Sequence, residues 1–370
     1  MLEKYYDKLY DCSRCGICRH WGWNGVEDVC PLYKHTTQYE TEYARGRVKI
    51  AKGLEEKKIQ PDELLTKHML ECTLCGRCEA CCPCKLPLHE AFQAMREDLA
   101  DQGYTLPQHR KTAETIEKYN NPYGAPKGDA PVRAKNPAAK ILYYPGCSIS
   151  RRAPQVIEQV ESIFKKLGEE INIYTEDTCC GFPLYDVGMK KDMKAVAEVT
   201  LENIKKYNPT LVITSCPGCL KSIRDLWKEI GLTYDFEVQD ISTYLLPKLE
   251  GRMAEKKAVV TWHDPCVLGR HLGDFETPRN VIKTVPGVTF VEMAEHHEKS
   301  ACCGAGGGVM SGFPKLAQEV GKDRIAQAED VKAEELITSC PACMLNLERA
   351  ARKSDVKVRY ITELIDEALR

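Results

Sequence analysis

No run of apolar residues in the 370-residue chain approaches the roughly 18 to 20 that a membrane-crossing helix needs. Any membrane contact is therefore expected through a partner. The opening MLEKYYDKLYDC has no apolar centre of the kind a secretion signal requires, so a soluble, cytoplasmic chain is predicted. Blocks of Lys and Arg are also missing. With a net charge of −2 and scattered basic residues, the electrostatic footprint of a nucleic-acid binder is excluded. No dinucleotide fingerprint is evident. The run GAGGG at 304–308 lacks the GxGxxG register and follows a cysteine pair rather than a strand, so it reads as backbone packed close to a metal cluster. What the chain has in quantity is cysteine, twenty in all. Without a secretion signal these are expected as thiols rather than disulfides, and thiolates at short spacings bind zinc or iron–sulfur clusters.

Residues 12–18 read CSRCGIC, with Cys30 and Pro31 further on; residues 72–83 read CTLCGRCEACCP. The second is the bacterial ferredoxin run C-x2-C-x2-C-x3-C-P, whose first three thiolates wrap one cubane while the fourth reaches across to another. By that rule Cys12, Cys15, Cys18 and Cys82 hold one [4Fe–4S] cubane. Cys72, Cys75, Cys78 and Cys30 hold the second. Zinc knuckles, the alternative, have no use for a third cysteine three residues on. The eleven residues RHWGWNGVEDV between Cys18 and Cys30 stand where a ferredoxin has three, and read as a loop insertion. Cys81 and Cys84 are spare, as alternative ligands or small packing groups. Gly16 and Gly76 occupy equivalent places in the two triplets, as turn glycines that also let backbone amides approach cluster sulfur.

The intervening TEYARGRVKIAKGLEE and PDELLTKHMLE have helical character, giving an α-helical ferredoxin-like module over residues 1–100. Residues 101–139, rich in Pro, Gly and Asn, read as a linker.

Beyond it the sequence is duplicated, predicting lobes at 140–251 and 252–370. ILYYPGC ends at Cys147, DTCCGFP carries Cys179 and Cys180, and LVITSCPGC carries Cys216 and Cys219. AVVTWHDPC ends at Cys266, SACCGAGGG carries Cys302 and Cys303, and ELITSCPAC carries Cys340 and Cys343. Corresponding cysteines are offset by 119, 123, 123, 124 and 124 residues, a period too consistent for chance. Strands and helices alternate in each copy, so each is expected to be a small parallel α/β lobe. The overall class is thus α+β and α/β. Cys147, Cys216, Cys266 and Cys340 each fall just past a predicted strand end, where α/β sheets gather ligands. Pro217 suits the first position of a helix. Cys219 would then lie in its first turn, where free N–H groups favour a thiolate.

Cysteine, a gap, CCG, a second gap and CxxC resembles the CCG domain of heterodisulfide reductases and related iron–sulfur oxidoreductases. The gaps are 31 and 35 residues in the first copy, 35 and 36 in the second. With the di-cluster module in front, the chain resembles the catalytic subunit of methanogen heterodisulfide reductases. It is also similar to iron–sulfur subunits of glycolate oxidase, lactate-utilisation, anaerobic glycerol-3-phosphate dehydrogenase and Dsr-type systems. The resemblance implies two noncubane [4Fe–4S] clusters. Cys147, Cys179, Cys180, Cys216 and Cys219 would hold one; Cys266, Cys302, Cys303, Cys340 and Cys343 would hold the other. Between them a thiol disulfide would be reduced, or thiols oxidised, by electrons passed singly through the cubanes. Electrons would come from a redox partner: a membrane cytochrome b, a flavoprotein or an electron-bifurcating protein. The alternative is an electron-transfer subunit linking a flavin-dependent dehydrogenase to quinone or cytochrome. Two complete five-cysteine sets favour the first.

His263 in TWHDPC is a candidate to protonate a departing thiolate or to hydrogen-bond the cluster, against the plainer reading of a strand-end histidine fixed to backbone. The family pattern places a histidine directly after Cys266, where this chain has Val267. Arg151, Arg152, Arg270 and His271 are candidates for anionic groups of a substrate or for a solvated face, and His296–His297 read as a polar loop. Ferredoxin and CCG modules are expected to be separate, so that Cys302→Ala would leave both cubanes untouched.

Overall fold

The structure, a computed structural model, describes residues 1–23, 26–126 and 133–370. In the N-terminal region, helices Ala44–Glu55, Glu63–Leu70 and Leu88–Asp101 bury Val48, Ala51, Met69, Ala91, Phe92 and Met95 against one another. Asp62 starts the second of these by accepting the Leu65 N–H at 2.7 Å, which satisfies one of the amides a helix leaves free at its start. The insertion after Cys18 is not a plain loop. It forms an antiparallel hairpin of β1 (His20–Trp23) and β2 (Val26–Asp28), with Asn24 and Gly25 outside the described residues.

The stretch expected as a linker is partly built into the fold. Pro107–Tyr119 is a helix with proline in its first turn, ended by Asn120 at φ +59°, and it buries His109 and Ile116. With His109 and Ile116 as its buried side chains, the helix carries too narrow an apolar face to stand out in the sequence. Residues 127–132 of the same stretch lie outside the described residues.

The duplication is realised as two four-stranded parallel sheets of identical order. The first runs β4 (Asn172–Ile173), β3 (Ile141–Tyr143), β5 (Leu211–Thr214), β6 (Glu237–Asp240). The second runs β8 (Val288–Phe290), β7 (Ala258–Trp262), β9 (Glu335–Thr338), β10 (Lys357–Tyr360). Pairing is in step within each, with Leu142 opposite Val212 and Thr261 opposite Leu336. Because the central strands are covered on both faces, they read as continuous apolar runs.

Besides a buried cluster of its own in each, the two copies share a third. Val160, Phe164, Leu245 and Leu249 of the first share one buried cluster with Trp262, Val281, Leu364 and Ile365 of the second. The helix after β3 (Gln155–Leu167) packs on the last helix of the chain (Ile361–Ala368). Reciprocally, Ile241–Leu249 packs on Thr277–Lys283. This exchange relates the lobes by a local two-fold and brings the carboxyl ends of β5 and β9 together. Tyr360 pins the junction: its fully buried hydroxyl meets the Ser339 carbonyl at 2.8 Å and, closer still, the Ser215 carbonyl. These residues directly precede Cys216 and Cys340. Tyr360→Phe leaves a buried carbonyl without its donor, and is expected to cost about 1–2 kcal/mol, measured as a lower guanidinium midpoint under anaerobic conditions.

Candidate metal centres and the cavity between the lobes

The two N-terminal cysteine runs wind alike. The residue before the second cysteine is left-handed in each, Arg14 at φ +60° and Leu74 at φ +51°, and so is the glycine after it, Gly16 at φ +84° and Gly76 at φ +73°. Glycine takes that conformation freely, whereas Arg14 and Leu74 are held there against an intrinsic cost of about 1 kcal/mol or more each. Two successive reversals turn three thiols toward one centre.

Cys12, Cys15, Cys18 and Cys82 line one hollow of about 360 Å³, walled also by Ala44, Arg45 and Val48. Cys30, Cys72, Cys75 and Cys78 line a second of about 390 Å³, beside Arg47, His89 and Phe92. Cys84 also borders the first hollow. Cys81 does not line either, and its thiol sits 3.3 Å from the Cys78 carbonyl. Burial pushes the Cys18 thiol up to about 12 and the Cys30 thiol up to about 11. Thiols so desolvated become thiolates only beside a compensating cation. Four converging soft donors with no disulfide among them suit iron–sulfur clusters, as the fit of residues to cofactor requires.

In the first CCG set, the sulfurs of Cys147 and Cys179 lie 3.8 Å apart and those of Cys180 and Cys219 3.5 Å apart. In the second, Cys303 and Cys343 are 3.1 Å apart, and the Cys302 thiol approaches Cys266. All exceed the ~2.05 Å of a disulfide. Gly181 at φ +87° and Gly304 at φ +89° turn their amides onto Cys179 and Cys302 sulfur at 3.4 and 3.3 Å. Pro217 and Pro341 open the helices after Cys216 and Cys340. The Cys219 amide points at Cys216 sulfur, 3.5 Å away. Thiols of Cys179 and Cys219 hold Cys180 well below the ordinary thiol range, and those of Cys302 and Cys343 do the same for Cys303. Space is reserved for the group as well. A Cβ on Gly146 would stand 2.7 Å from Cys219 sulfur.

One cavity of about 1480 Å³ joins the two sets, lined by Cys147, Cys180, Cys216 and Cys219 from one lobe and Cys266, Cys303, Cys340 and Cys343 from the other. Cys179 and Cys302 are buried and stand outside its lining.

His263 is fully buried, with a ring nitrogen within 4.8 Å of both Cys303 and Cys343 sulfur. Arg324 Nε donates to its Nδ1 at 3.1 Å, which fixes the proton on Nε2. Burial holds its pKa below the ordinary range. Its counterpart in the first lobe is Tyr144, whose hydroxyl donates to the Thr178 carbonyl at 2.6 Å.

The ferredoxin-like and CCG regions are not separate modules. Cys302 and Cys75 share one buried cluster, and the Cys302 thiol beside it holds Cys75 well below the ordinary thiol range. Arg270, a candidate substrate contact by sequence, donates instead to the Cys75 carbonyl at 2.6 Å and the Ser300 carbonyl at 2.9 Å. The glycine run packs on the loop of the second cysteine run: a Cβ on Gly307 would stand 2.3 Å from the Cys72 carbonyl. Arg151 pairs with Asp177 at 2.5 Å and Arg152 lies over the Tyr123 ring. His271 faces the cavity and stacks on His89, ring centroids 4.5 Å apart. His297 pairs with Glu276 at 2.6 Å, so the His296–His297 loop is polar but tied. Sequence reasoning had no signal for His109, which lines the cavity from the supposed linker.

Known proteins bear on this geometry. The cysteine-rich domain called CCG matches residues 141–224 and 260–348, and a 4Fe-4S dicluster domain matches 8–86. A dihydromethanophenazine:CoB–CoM heterodisulfide reductase subunit of Methanosarcina acetivorans is 32% identical over 98% of this chain and 94% of its own length. A fumarate reductase (CoM/CoB) subunit of Methanothermobacter marburgensis is 29% identical, covering 99% of this chain and 74% of that one. EtfAB:quinone oxidoreductase of Syntrophomonas wolfei is 27% identical over 85% of this chain and 48% of its own. A crystal structure of a hypothetical protein from Helicobacter pylori shares the fold, with TM-score 0.61 at 10% identity, over 99% of this chain and 71% of that one. No helix among the described residues is long and apolar enough to cross a membrane. With paired CCG sets behind a dicluster region along its whole length, the chain belongs to the heterodisulfide reductase family of CCG-domain iron–sulfur proteins.

Proposed function

We propose that this chain is the iron–sulfur subunit of a heterodisulfide-reductase-like complex and cleaves a thiol disulfide, or forms one, in the cavity between its lobes. The observation that carries the reading is that one cavity is lined by cysteines of both CCG sets, where a relay would need no room for substrate. Cys12, Cys15, Cys18 and Cys82, and Cys30, Cys72, Cys75 and Cys78, would hold two cubanes; the ten CCG cysteines would hold two noncubane [4Fe–4S] clusters. Bound there, the clusters supply one-electron transfer, and two electrons with two protons convert one disulfide to two thiols. The chain's own groups set the surroundings. His263, fixed as the Nε2–H tautomer by Arg324, would offer that N–H, which has no partner in the protein, to a cluster held by Cys303 and Cys343 rather than act as an acid, because an imidazolium would face the guanidinium. Such outer contacts tune a bound cluster.

Electrons enter from a redox partner, which is a membrane cytochrome b, a flavoprotein or a bifurcating protein, and a cytoplasmic chain would meet the membrane through that partner. The second reading is a relay between a flavin-dependent dehydrogenase and quinone or cytochrome, favoured by the similarity to EtfAB:quinone oxidoreductase. Anaerobic titration of the oxidised holoprotein with thiols, followed by EPR, separates the two. A thiol-dependent paramagnetic signal is expected; silence across thiols of varied charge and length would leave the relay.

A further inference from the structure

Away from the cysteine sets, Glu292, His296 and His297 come together with a carboxylate oxygen and one nitrogen of each ring within 4.8 Å of one another. All three lie on the segment that leaves β8 and runs on toward Cys302. They are half-buried and open to solvent, the His297 side chain 25% exposed and that of Glu292 29%.

The ring nitrogens have defined roles. His297 Nε2 lies 2.6 Å from Glu276 Oε1; in the neutral ring that carboxylate takes the Nε2 proton and leaves Nδ1 as a lone pair. This lone pair faces His296 Nδ1 at 2.5 Å. Burial holds His296 below the ordinary histidine range, so its ring is neutral at pH 7 and, as the Nε2–H tautomer, turns a second lone pair to the same point. A carboxylate on the far nitrogen is what orients a metal-bound imidazole. Two imidazoles and one carboxylate form a donor set that takes zinc with a water in the fourth place.

The charge balance points the same way. Asp264, Glu276 and Glu292 bear on the two rings against the guanidinium of Arg279, which forks onto Asp264 at 2.5 and 2.9 Å and onto Glu292 at 2.6 and 3.1 Å. Lys283 acts on Glu276, but its ammonium sits over the Phe290 ring. Negative charge is in excess, and a dication offsets it. Glu292 keeps lone pairs beyond its two bonds to Arg279.

We propose that Glu292, His296 and His297 bind one divalent transition-metal ion of the zinc class through a carboxylate oxygen and the two Nδ1 atoms, with Glu276 orienting His297. Metal–nitrogen bonds of about 2.0–2.1 Å would part the two nitrogens to roughly 3.3 Å, a small rotation of exposed rings. The ion would brace the segment whose Glu298 and Ser300 carbonyls hold Arg270. The site is independent of what the inter-lobe cavity binds.

Its test uses the anaerobically purified holoprotein, with its cysteines occupied by clusters, equilibrated with Zn²⁺ and desalted. One zinc per chain is expected to remain, and its K-edge absorption should show nitrogen and oxygen at about 2.0–2.1 Å with no sulfur shell at about 2.3 Å. In competition with a chelator, His296→Ala should weaken zinc by about 100-fold or more. Glu276→Gln leaves every ligand in place and should weaken it by about 10-fold, as outer partners of metal-bound histidines do. Unchanged iron content and cluster EPR verify that both variants are folded. No retained zinc, a sulfur shell, or equal affinity in the wild type and His296→Ala overturns the site; should a variant lose its clusters, the wild-type spectrum alone decides. Undiminished affinity in Glu276→Gln overturns the orienting role of that carboxylate.

Discussion

Cys179→Ala is expected to eliminate reduction of disulfides by viologen-reduced protein, with a loss on the order of 100-fold or more, given that even outer contacts of a metal site cost 10- to 100-fold. Both cubane EPR signals should persist. The reason is position: Cys179 is fully buried in the first lobe, 3.8 Å from Cys147 sulfur, with the Gly181 amide on its own sulfur. Its neighbours are cysteines of its own set. Cys302→Ala should remove the same activity but also alter the signal assigned to the Cys30, Cys72, Cys75 and Cys78 cluster, because Cys302 lies against Cys75. Retention of more than a tenth of the activity in Cys179→Ala would sink the proposed role of the first CCG set. An unchanged cubane spectrum in Cys302→Ala would deny the contact between the regions.

That contact marks where sequence stops being informative. The near-constant offset between the paired cysteines predicts two equivalent lobes, and the sheets have the same strand order. Local signals worked where the cause is local: Gly168 ends its helix at φ +73° and Pro217 starts one. Contacts distant in sequence left no such mark. Tyr360 lies 145 residues from Ser215, and Arg270 lies 195 from Cys75; an isolated Tyr or Arg in a sequence does not name its carbonyl. Two five-residue π-helical turns, Ser222–Leu226 and Val267–His271, also escaped a reading based on a 3.6-residue period. The second of them carries both Arg270 and His271, so the departure from α geometry coincides with the side chains that join the regions. Such turns recur at functional sites.

The contact is also asymmetric. Cys302 of the second set meets a ferredoxin-type cysteine, whereas the partners that perturb Cys179 of the first set are Cys147 and Cys180. At the equivalent position beside each set the first lobe has Tyr144 and the second His263. Duplication therefore supplied two similar thiol nests, and divergence gave them different surroundings: one beside Cys75 with an imidazole N–H, the other with a tyrosine turned to the Thr178 carbonyl.

Arg96→Met is expected to be the most destabilising single change, on the order of 4 kcal/mol, since each buried carbonyl left unpaired costs roughly 1–3 kcal/mol. Arg96 is 1% exposed and donates to four carbonyls: Met69 at 2.9 Å, Cys72 at 2.5 Å, Asp186 at 2.7 Å and Gly307 at 2.8 Å. Two belong to the ferredoxin-like region and one to each lobe. The guanidinium is thus the point where all three parts meet. Burial lowers its pKa only to about 10, so it stays charged at neutral pH, and charge-assisted donation offsets its desolvation. Methionine fills much of the volume and supplies none of the bonds. Lysine should rescue little, because a single ammonium does not reproduce a planar fork reaching carbonyls on three sides. The control is Arg110→Met, which removes one exposed bond to the Gly103 carbonyl and should stay within about 0.5 kcal/mol. Anaerobic denaturation measures the stability, and the rate of iron release to a chelator measures the junction. Faster release in Arg96→Met and Arg96→Lys, with Arg110→Met unchanged, is expected, because opening that junction uncovers the loop that carries Cys72 and Cys75. Equal release rates in all three variants would mean that the cluster loop is held by its own winding alone.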